Sequence, residues 1–118
     1  VPHAVAYVPL SPVRLKARSF NQAEQMALLL GRRLRLPVLP LLRRTGHTGK
    51  QSFKSRAERL HNPVGAISAA PEAAFLLKPG MRLLLVDDVY TTGATMHECA
   101  RVLRACRPVD VFGLTWAR

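Results

Sequence analysis

A continuous apolar run that ends on two adjacent carboxylates limits the possible folds of this chain more than any other feature. Residues 82–86 are apolar after Arg82, and Asp87 and Asp88 follow directly. A short apolar run without alternation is typical of a strand buried on both faces, as in parallel sheets. Residues 91–95 form a turn, and the apolar positions after it have helical spacing: Met96, Cys99, Ala100, Leu103 and Cys106. The segment therefore predicts a buried parallel strand, a turn and a helix.

The rest of the chain repeats this alternation of strands and helices. Asn21 is a candidate N-cap, with Glu24 three residues later, for a helix that ends near Leu36, before Pro37. The apolar face of this helix comprises Ala23, Met26, Ala27, Leu30 and Leu34. Further strands are predicted at residues 4–10, 38–42, 64–70 and 109–115, with a short turn or helix at residues 71–78. The pattern predicts one α/β domain over residues 1–118, with an open, mostly parallel sheet flanked by helices.

Residues 43–62 have hardly any apolar periodicity and include Gly46 and Gly49. Loops longer than about 12 to 15 residues are uncommon in compact domains unless they are functional or disordered. We therefore expect a long flexible loop here.

The chain is strongly basic, with 18 Lys and Arg residues against 7 Asp and Glu residues and a formal net charge of +11. Six of the basic residues lie between Arg43 and Arg59, with only Glu58 among them. Such a patch favours a polyanionic partner, namely a phosphate, a nucleotide or nucleic acid. The alternative is that the charge serves solubility alone.

Several other classes of protein are disfavoured. No apolar run approaches the roughly 18 to 20 residues that span a bilayer, and no secretory signal opens the chain, so a cytoplasmic protein without membrane insertion is expected. Cys99 and Cys106 would lie about 10 Å apart on one helix, too far for a disulfide, so they are expected as reduced core thiols. No zinc-ligand spacing is present. Phe112 and Trp116 on the last strand are also expected in the core.

The carboxylates and the turn after them form a candidate ligand site. Open parallel sheets bind ligands at the carboxyl ends of their strands, where Asp87 and Asp88 could accept hydrogen bonds from a sugar diol. The free N–H groups of the helix that starts at residues 91–95 could bind a phosphate, and Gly93 would let the backbone approach it. The alternative is a plain capping turn in which the two aspartates bind backbone amides.

Residues 83–95 resemble the motif of type I phosphoribosyltransferases that binds 5-phosphoribosyl-1-pyrophosphate (PRPP). The resemblance implies that Asp87 and Asp88 bind the ribose hydroxyls. It also implies that the 5'-phosphate is surrounded by Thr91, Thr92, Gly93, Ala94 and Thr95. Magnesium is the implied cofactor, bound through PRPP, with Asp87 or Asp88 contacting it through water.

Two further segments resemble the competence protein F family. Residues 18–23 read Arg-Ser-Phe-Asn-Gln-Ala, where that family has Arg-Gly-Phe-Asn-Gln-Ala, so Ser19 replaces the usual glycine. A second spaced pattern comprises Gln51, Arg56, Arg59, Asn62, Gly65 and Ala66. The resemblance extends over residues 8–118. The cysteine-rich zinc ribbon that is common at the N-terminus of the family is absent from these residues, so a phosphoribosyltransferase-like domain without its ribbon is expected.

The resemblance also assigns roles to the basic residues. Pyrophosphate would be bound by the loop after the first strand and by the start of the long loop, through Arg14, Lys16, Arg18, Arg43 and Arg44. The long loop would close over the site as a hood. The catalytic set would comprise Asp87, Asp88, Arg44 and Lys50. The alternatives are a solvated basic loop in the first case and a DNA-binding or disordered loop in the second.

Three hypotheses about function remain open at this point. The first is an enzyme that transfers a 5-phosphoribosyl group from PRPP to a nitrogenous acceptor, or catalyses the reverse reaction. The second is a module that binds single-stranded DNA during DNA uptake in natural competence, alongside other competence proteins. The third is a sensor of PRPP or a nucleotide without turnover. A homodimer is expected from the type I resemblance, and the acceptor is not identified by the sequence.

Overall fold

A parallel sheet forms the centre of the chain in the computed structural model, which describes residues 2–10, 16, 20–44, 67–89 and 94–117. The strands are β1 (Ala4–Tyr7), β2 (Leu42–Arg44), β3 (Ile67–Ala69), β4 (Arg82–Val89) and β5 (Asp110–Ala117). The helices are α1 (Gln22–Leu34), α2 (Ala73–Leu76) and α3 (Ala94–Cys106). In the part of the chain that the structure describes, β4 lies between β1 and β5 and is parallel to both. β2 and β3 form a separate antiparallel pair.

Alternate residues of the central sheet pack on opposite faces, because successive side chains of a strand point in opposite directions. Leu83 and Leu85 belong to the larger buried cluster, together with Cys99 and Leu103 of α3. Val86 packs on the other face with Val5 and Ala27 of α1. The sheet is therefore covered by α1 on one face and by α3 on the other, as the sequence pattern predicts.

The start of α1 confirms Asn21 as the N-cap. The Asn21 side-chain oxygen accepts hydrogen bonds from the backbone N–H groups of Ala23 and Glu24, at 2.9 and 3.4 Å. The helix ends at Leu34, and Arg35 adopts a left-handed conformation (φ 58°) that stops it before Pro37. Leu34 was expected on the buried face, but it is exposed at the last residue of the helix.

The prediction of one strand over residues 38–42 is wrong. Val38 forms an isolated parallel bridge with Val5, and Leu39 donates a hydrogen bond to the Val5 carbonyl. After Pro40, the Leu41 N–H donates to the Leu39 carbonyl at 3.0 Å in a tight turn rather than to β1, so the chain leaves the sheet. It then enters β2, where Leu42 pairs with Ala69.

Two other boundaries also differ from the sequence prediction. The long loop was expected to begin at Arg43, but Arg43 and Arg44 pair with β3; residues 45–62 lie outside the described residues. β4 was expected to end at residue 86, but it continues to Val89, and Asp87 is in register with Thr115 of β5. The pairing on β5 keeps the strand extended past the last core residue.

Candidate functional site

The carboxyl end of β4 places Asp87 at the ligand-binding edge of the sheet. β4 is the middle strand, with Tyr7 in register with Val86 on one side and Thr115 in register with Asp87 on the other. Asp87 is half-buried at this position. Asp88 follows in the same strand, and only its backbone is described. A carboxylate at the end of a central parallel strand is well placed to bind a polar ligand.

The N-terminus of α3 lies close to the end of β4 along the chain. The helix begins at Ala94, five residues after Val89, and Thr95 is half-buried in its first turn. No acidic residue occupies that first turn. The first N–H groups of a helix have no partner within it, and they lie at the positive end of the helix dipole. Because the first turn of α3 carries no carboxylate of its own, this end of the helix suits an anionic ligand.

Arg44 approaches the same region from the β2–β3 pair. Burial is the main reason that the pKa of the Cys99 thiol is raised to about 12; the positive charge of Arg44 opposes this shift and the negative charge of Asp87 adds to it. β2 pairs with β3, and β3 packs against α3, so the strand that carries Arg44 lies on the α3 side of the sheet. Asp87 alternates with Leu85, which belongs to the buried cluster that contains Cys99, so the Asp87 side chain is on that side as well.

The loop after β1 also starts at this edge of the sheet. The Val8 N–H donates to the Val86 carbonyl at 2.9 Å, one residue before Asp87. The buried Asn21 side chain donates to the Val8 carbonyl at 3.1 Å. Because Asn21 also caps α1, one side chain holds the two ends of residues 9–20 together.

The predicted site residues are described to different extents. Asp87, Arg43, Arg44, Lys16 and Thr95 lie in the described part of the chain, where Arg43 and Lys16 are exposed and Arg44 is half-buried. Asp88 and Ala94 have described backbones in β4 and α3. Outside the described residues lie Arg14, Arg18, Lys50, Thr91, Thr92 and Gly93.

Two contacts near the site were not predicted from the sequence. Asn21 was expected to cap α1 but not to bind Val8, 13 positions earlier. The Tyr7 hydroxyl donates to the Glu24 carboxylate at 3.3 Å, and burial together with that negative charge raises the pKa of Tyr7. The sequence signal for the capping role of Asn21 was a polar residue directly before an apolar helical pattern. The tyrosine contact has no sequence signal, because it depends on how α1 packs on the sheet.

Neither a metal-binding group nor a membrane-spanning helix is found among the described residues. No group of three or more His, Cys, Asp or Glu side chains among them is placed to hold a metal ion. Within the same ranges, none of the helices has the length and hydrophobicity required to cross a bilayer. Cys99 and Cys106 are both free thiols, as predicted.

Several known proteins and one protein family are similar to this chain in sequence. The family described as "Phosphoribosyl transferase domain" matches residues 8–112. The chain is 36% identical to competence protein F of Haemophilus influenzae over 99% of its length, and 39% identical to competence protein ComFC of Bacillus subtilis over 81%. It covers 52% and 36% of those two proteins, so it spans about half or less of their length. The resemblance to the competence protein F family is thereby confirmed.

A solved structure supports the type I fold. The glutamine PRPP amidotransferase from B. subtilis, complexed with ADP and GMP, matches 98% of this chain with a TM-score of 0.64. The identity is 19%, and the match covers 23% of the amidotransferase chain. The likeness shows that the mostly parallel sheet and its flanking helices have the fold expected from the sequence.

Proposed function

The chain belongs to the phosphoribosyl transferase domain family, and from that premise we propose that it binds PRPP with magnesium and transfers the 5-phosphoribosyl group to or from a nitrogenous acceptor. One observation carries the proposal. Asp87 lies near the carboxyl end of the central strand, close in sequence to the start of α3, and on the side of the sheet where β2 carries Arg44. This arrangement offers an acceptor for a sugar diol, a helix N-terminus for a phosphate and a cation for a second anionic group.

In this proposal the ribose and its phosphate bind along residues 87–95. Asp87 and Asp88 accept hydrogen bonds from the two ribose hydroxyls. The 5'-phosphate binds the first N–H groups of α3 and the hydroxyls of Thr91, Thr92 and Thr95. Two carboxylates suit a diol, because each can accept several hydrogen bonds.

The reaction replaces the bond between the anomeric carbon and pyrophosphate with a bond to nitrogen. The nitrogen lone pair attacks that carbon, and the departing oxygen takes the electron pair of the broken bond. Arg14, Lys16, Arg18, Arg43 and Arg44 would neutralise the pyrophosphate, and Lys50 would act in the closing loop. Cations placed where charge develops lower the barrier most when water is excluded.

Magnesium fits the oxygen donors that this site offers. Asp87 or Asp88 would hold the ion through water, while oxygens of PRPP supply most of its ligands, which suits a cation that keeps several waters and is bound by few protein groups. When bound, the ion would neutralise pyrophosphate charge.

The test replaces both carboxylates with neutral amides of the same size. In the Asp87→Asn/Asp88→Asn variant, two charge-assisted hydrogen bonds worth about 1.5 to 3 kcal/mol each are lost, so the affinity for Mg-PRPP should fall by about a hundredfold or more. Calorimetric titration measures this change. Asp110→Asn, at the opposite end of the sheet, is the matched control and should bind as the parent does.

Thermal unfolding of the same variants separates a binding defect from a folding defect. Both variants should keep a cooperative transition close to that of the parent. Unchanged PRPP affinity in the double variant would refute the site assignment. A lost transition would instead mean that the pair is structural. A phosphate ion should still bind the start of α3 in the folded double variant, because that contact belongs to the helix N-terminus.

The second candidate function is a module without turnover that binds single-stranded DNA or senses PRPP or a nucleotide. The net charge of +11 favours a nucleic acid, and the names of the related competence proteins link them to competence. Turnover distinguishes the candidates: release of pyrophosphate from PRPP in the presence of nitrogenous acceptors supports the enzyme. Tight PRPP binding without release supports the sensor.

We also propose that the protein works in the cytoplasm as a homodimer, alongside other competence proteins. Light scattering over a range of concentrations tests the dimer, and a mass equal to one chain at the highest concentration contradicts it.

A further inference from the structure

The outer edge of β5 has the properties of a pairing surface. Among the described residues β5 pairs only with β4, so the hydrogen-bonding groups along its other edge have no strand partner there. Natural edge strands are commonly protected by lysine, proline or a short length. β5 is eight residues long, and its sequence, DVFGLTWA, contains neither lysine nor proline. This edge is therefore open to an additional strand.

An apolar groove lies beside this edge, between β5 and α1. Its volume is about 560 Å³, and it is lined by Met26, Leu29, Leu30, Arg33, Leu114 and Thr115. Leu29 and Leu114 are 53% and 39% exposed, and the nearby Phe112 is 51% exposed. A groove of this size can accept one or two large apolar side chains.

The groove results from how α1 is placed on the sheet. The helix packs against β1 and β4, so among the described elements no helix packs over the same face of β5. On the opposite face, Val111 packs into the larger core cluster, and a side chain at Gly113 would come within 2.8 Å of the Met96 methyl group. Phe112 and Leu114 alternate with these two residues and consequently point toward the groove side.

The charge at the rim selects the partner. Arg33 lines the groove and has no ion-pair partner among the residues that the structure describes, and Arg32 and Arg35 are exposed next to it. A second copy of the chain would bring the same arginines to this edge, on a protein with a net charge of +11. An acidic partner is attracted instead.

We propose that an extended segment of a partner protein, with alternating apolar and acidic residues, adds to β5 as a further strand. Its backbone pairs with the outer edge of β5, an apolar side chain enters the groove beside Leu29, and a carboxylate pairs with Arg33. Strand addition of this kind draws affinity from the backbone and selectivity from pockets for alternate side chains. The proposal does not depend on PRPP binding, since the groove lies on α1 and β5 rather than at residues 87–95.

The probe is a synthetic fluorescent peptide of about ten residues in which glutamate alternates with leucine or valine. Its binding is measured by fluorescence anisotropy at several concentrations of the full chain. A peptide with lysine at every glutamate position tests the charge. A peptide with methylated backbone amides on its pairing edge tests strand addition. We expect the acidic peptide to bind and both control peptides to bind at least about tenfold more weakly.

Matched variants on α1 locate the contact. Leu29→Asn and Arg33→Glu alter groove residues, whereas Leu28→Asn and Arg32→Glu make the same changes at exposed neighbours that do not line it. The two groove variants should weaken acidic-peptide binding at least about tenfold, whereas Leu28→Asn should leave it unchanged and Arg32→Glu, which alters only the rim charge, should weaken it by about twofold at most. Arg33→Glu should also improve binding of the lysine peptide, which a merely structural effect would not do.

Several results overturn the proposal. These are no binding of the acidic peptide at millimolar concentration, equal binding of the methylated peptide, or equal effects of groove and control variants. A dimer that Leu29→Asn converts to monomer, seen by light scattering, would assign the groove to a second copy. Binding to phosphatidylglycerol vesicles that Leu29→Asn abolishes, without peptide binding, would assign it to a membrane surface.

Discussion

Asn21 connects three parts of the molecule through a single buried side chain. It is 6% exposed and accepts hydrogen bonds from the first turn of α1. It also donates a hydrogen bond to the carbonyl of Val8, which directly follows β1. Val8, which receives that bond, is itself paired with Val86 of β4. The side chain therefore fixes where the loop proposed to bind pyrophosphate begins and ends.

Two substitutions at Asn21 separate the cap from the bond to Val8. Asn21→Ser retains a capping oxygen but is too short to reach Val8, whereas Asn21→Ala loses both functions. We expect Asn21→Ser to lower the free energy of unfolding by about 1 to 2 kcal/mol and Asn21→Ala by about 1 kcal/mol more. Urea denaturation measures both values. Equal values for the two variants would mean that the cap contributes nothing.

The structural role of a single residue could be predicted where that role depends only on its neighbours along the chain. A side chain that accepts from N–H groups two and three residues later needs no other part of the fold, so Asn21 was identified as a cap. Phe112 was expected in the core, and that prediction is wrong because its burial depends on whether a helix covers β5. Among the described residues α3 packs on the opposite face of β5 and α1 packs against β1 and β4, so the face that carries Phe112 is left exposed. Similarly, the proximity of Arg44 to Cys99 depends on how β3 packs against α3, which spacing along the chain does not reveal.

At the scale of elements, the end of α1 is shaped by the close return of the chain after it. The Gly31 carbonyl accepts hydrogen bonds from Arg35 and from Leu36, and Val38 then reaches β1. A β-carbon at Gly31 would meet a methyl group of Val38 at 2.6 Å and the Leu36 carbonyl oxygen at 2.8 Å. Gly31 therefore lets the chain after α1 pass close enough to the helix for Val38 to pair with Val5.

Gly31→Ala sets two opposing effects against each other. Alanine favours a helix by about 1 kcal/mol relative to glycine, but overpacking costs about 1 to 3 kcal/mol, and here one of the clashing atoms is a backbone oxygen that cannot rotate away. We expect a net loss of about 1 to 2 kcal/mol in the free energy of unfolding. Arg32→Ala, at an exposed position of the same helix, is the control and should be neutral. A stabilised Gly31→Ala variant would show that the connection moves at little cost.

Elements with a strong apolar period were predicted correctly, and short ones were not. α1 and α3 each bury a face whose helical period appears in the sequence, and β4 is buried on both faces, as its continuous apolar run predicts. Residues 38–42 were read as one strand because their apolar run is continuous, yet Pro40 divides it between two sheets. The antiparallel pairing of β2 with β3 joins segments separated by more than 20 residues, and their short runs carry no signal for it.

At the scale of the whole molecule, the parallel α/β arrangement followed from the order of strands and helices. Right-handed crossovers and burial of both faces of β4 leave few alternatives once that order is known. The groove beside β5 could not be predicted, because it arises from the position of α1 across the sheet. The open edge of β5 could not be predicted either, because it depends on the strand order among the described residues. The single domain over residues 1–118 remains a prediction.

The net charge of the chain gives a final test that distinguishes the candidate functions. If the basic surface binds single-stranded DNA through about six phosphates, released counterions should lower the affinity by roughly three-hundredfold between about 50 and about 200 mM salt. Anisotropy titrations with a labelled oligonucleotide, with and without Mg-PRPP, measure this dependence. The Asp87→Asn/Asp88→Asn variant should bind DNA at least as well as the parent, because it removes two negative charges, while its PRPP binding collapses. Affinity for DNA that does not change with salt would eliminate the DNA-binding alternative and leave the PRPP site as the explanation to pursue.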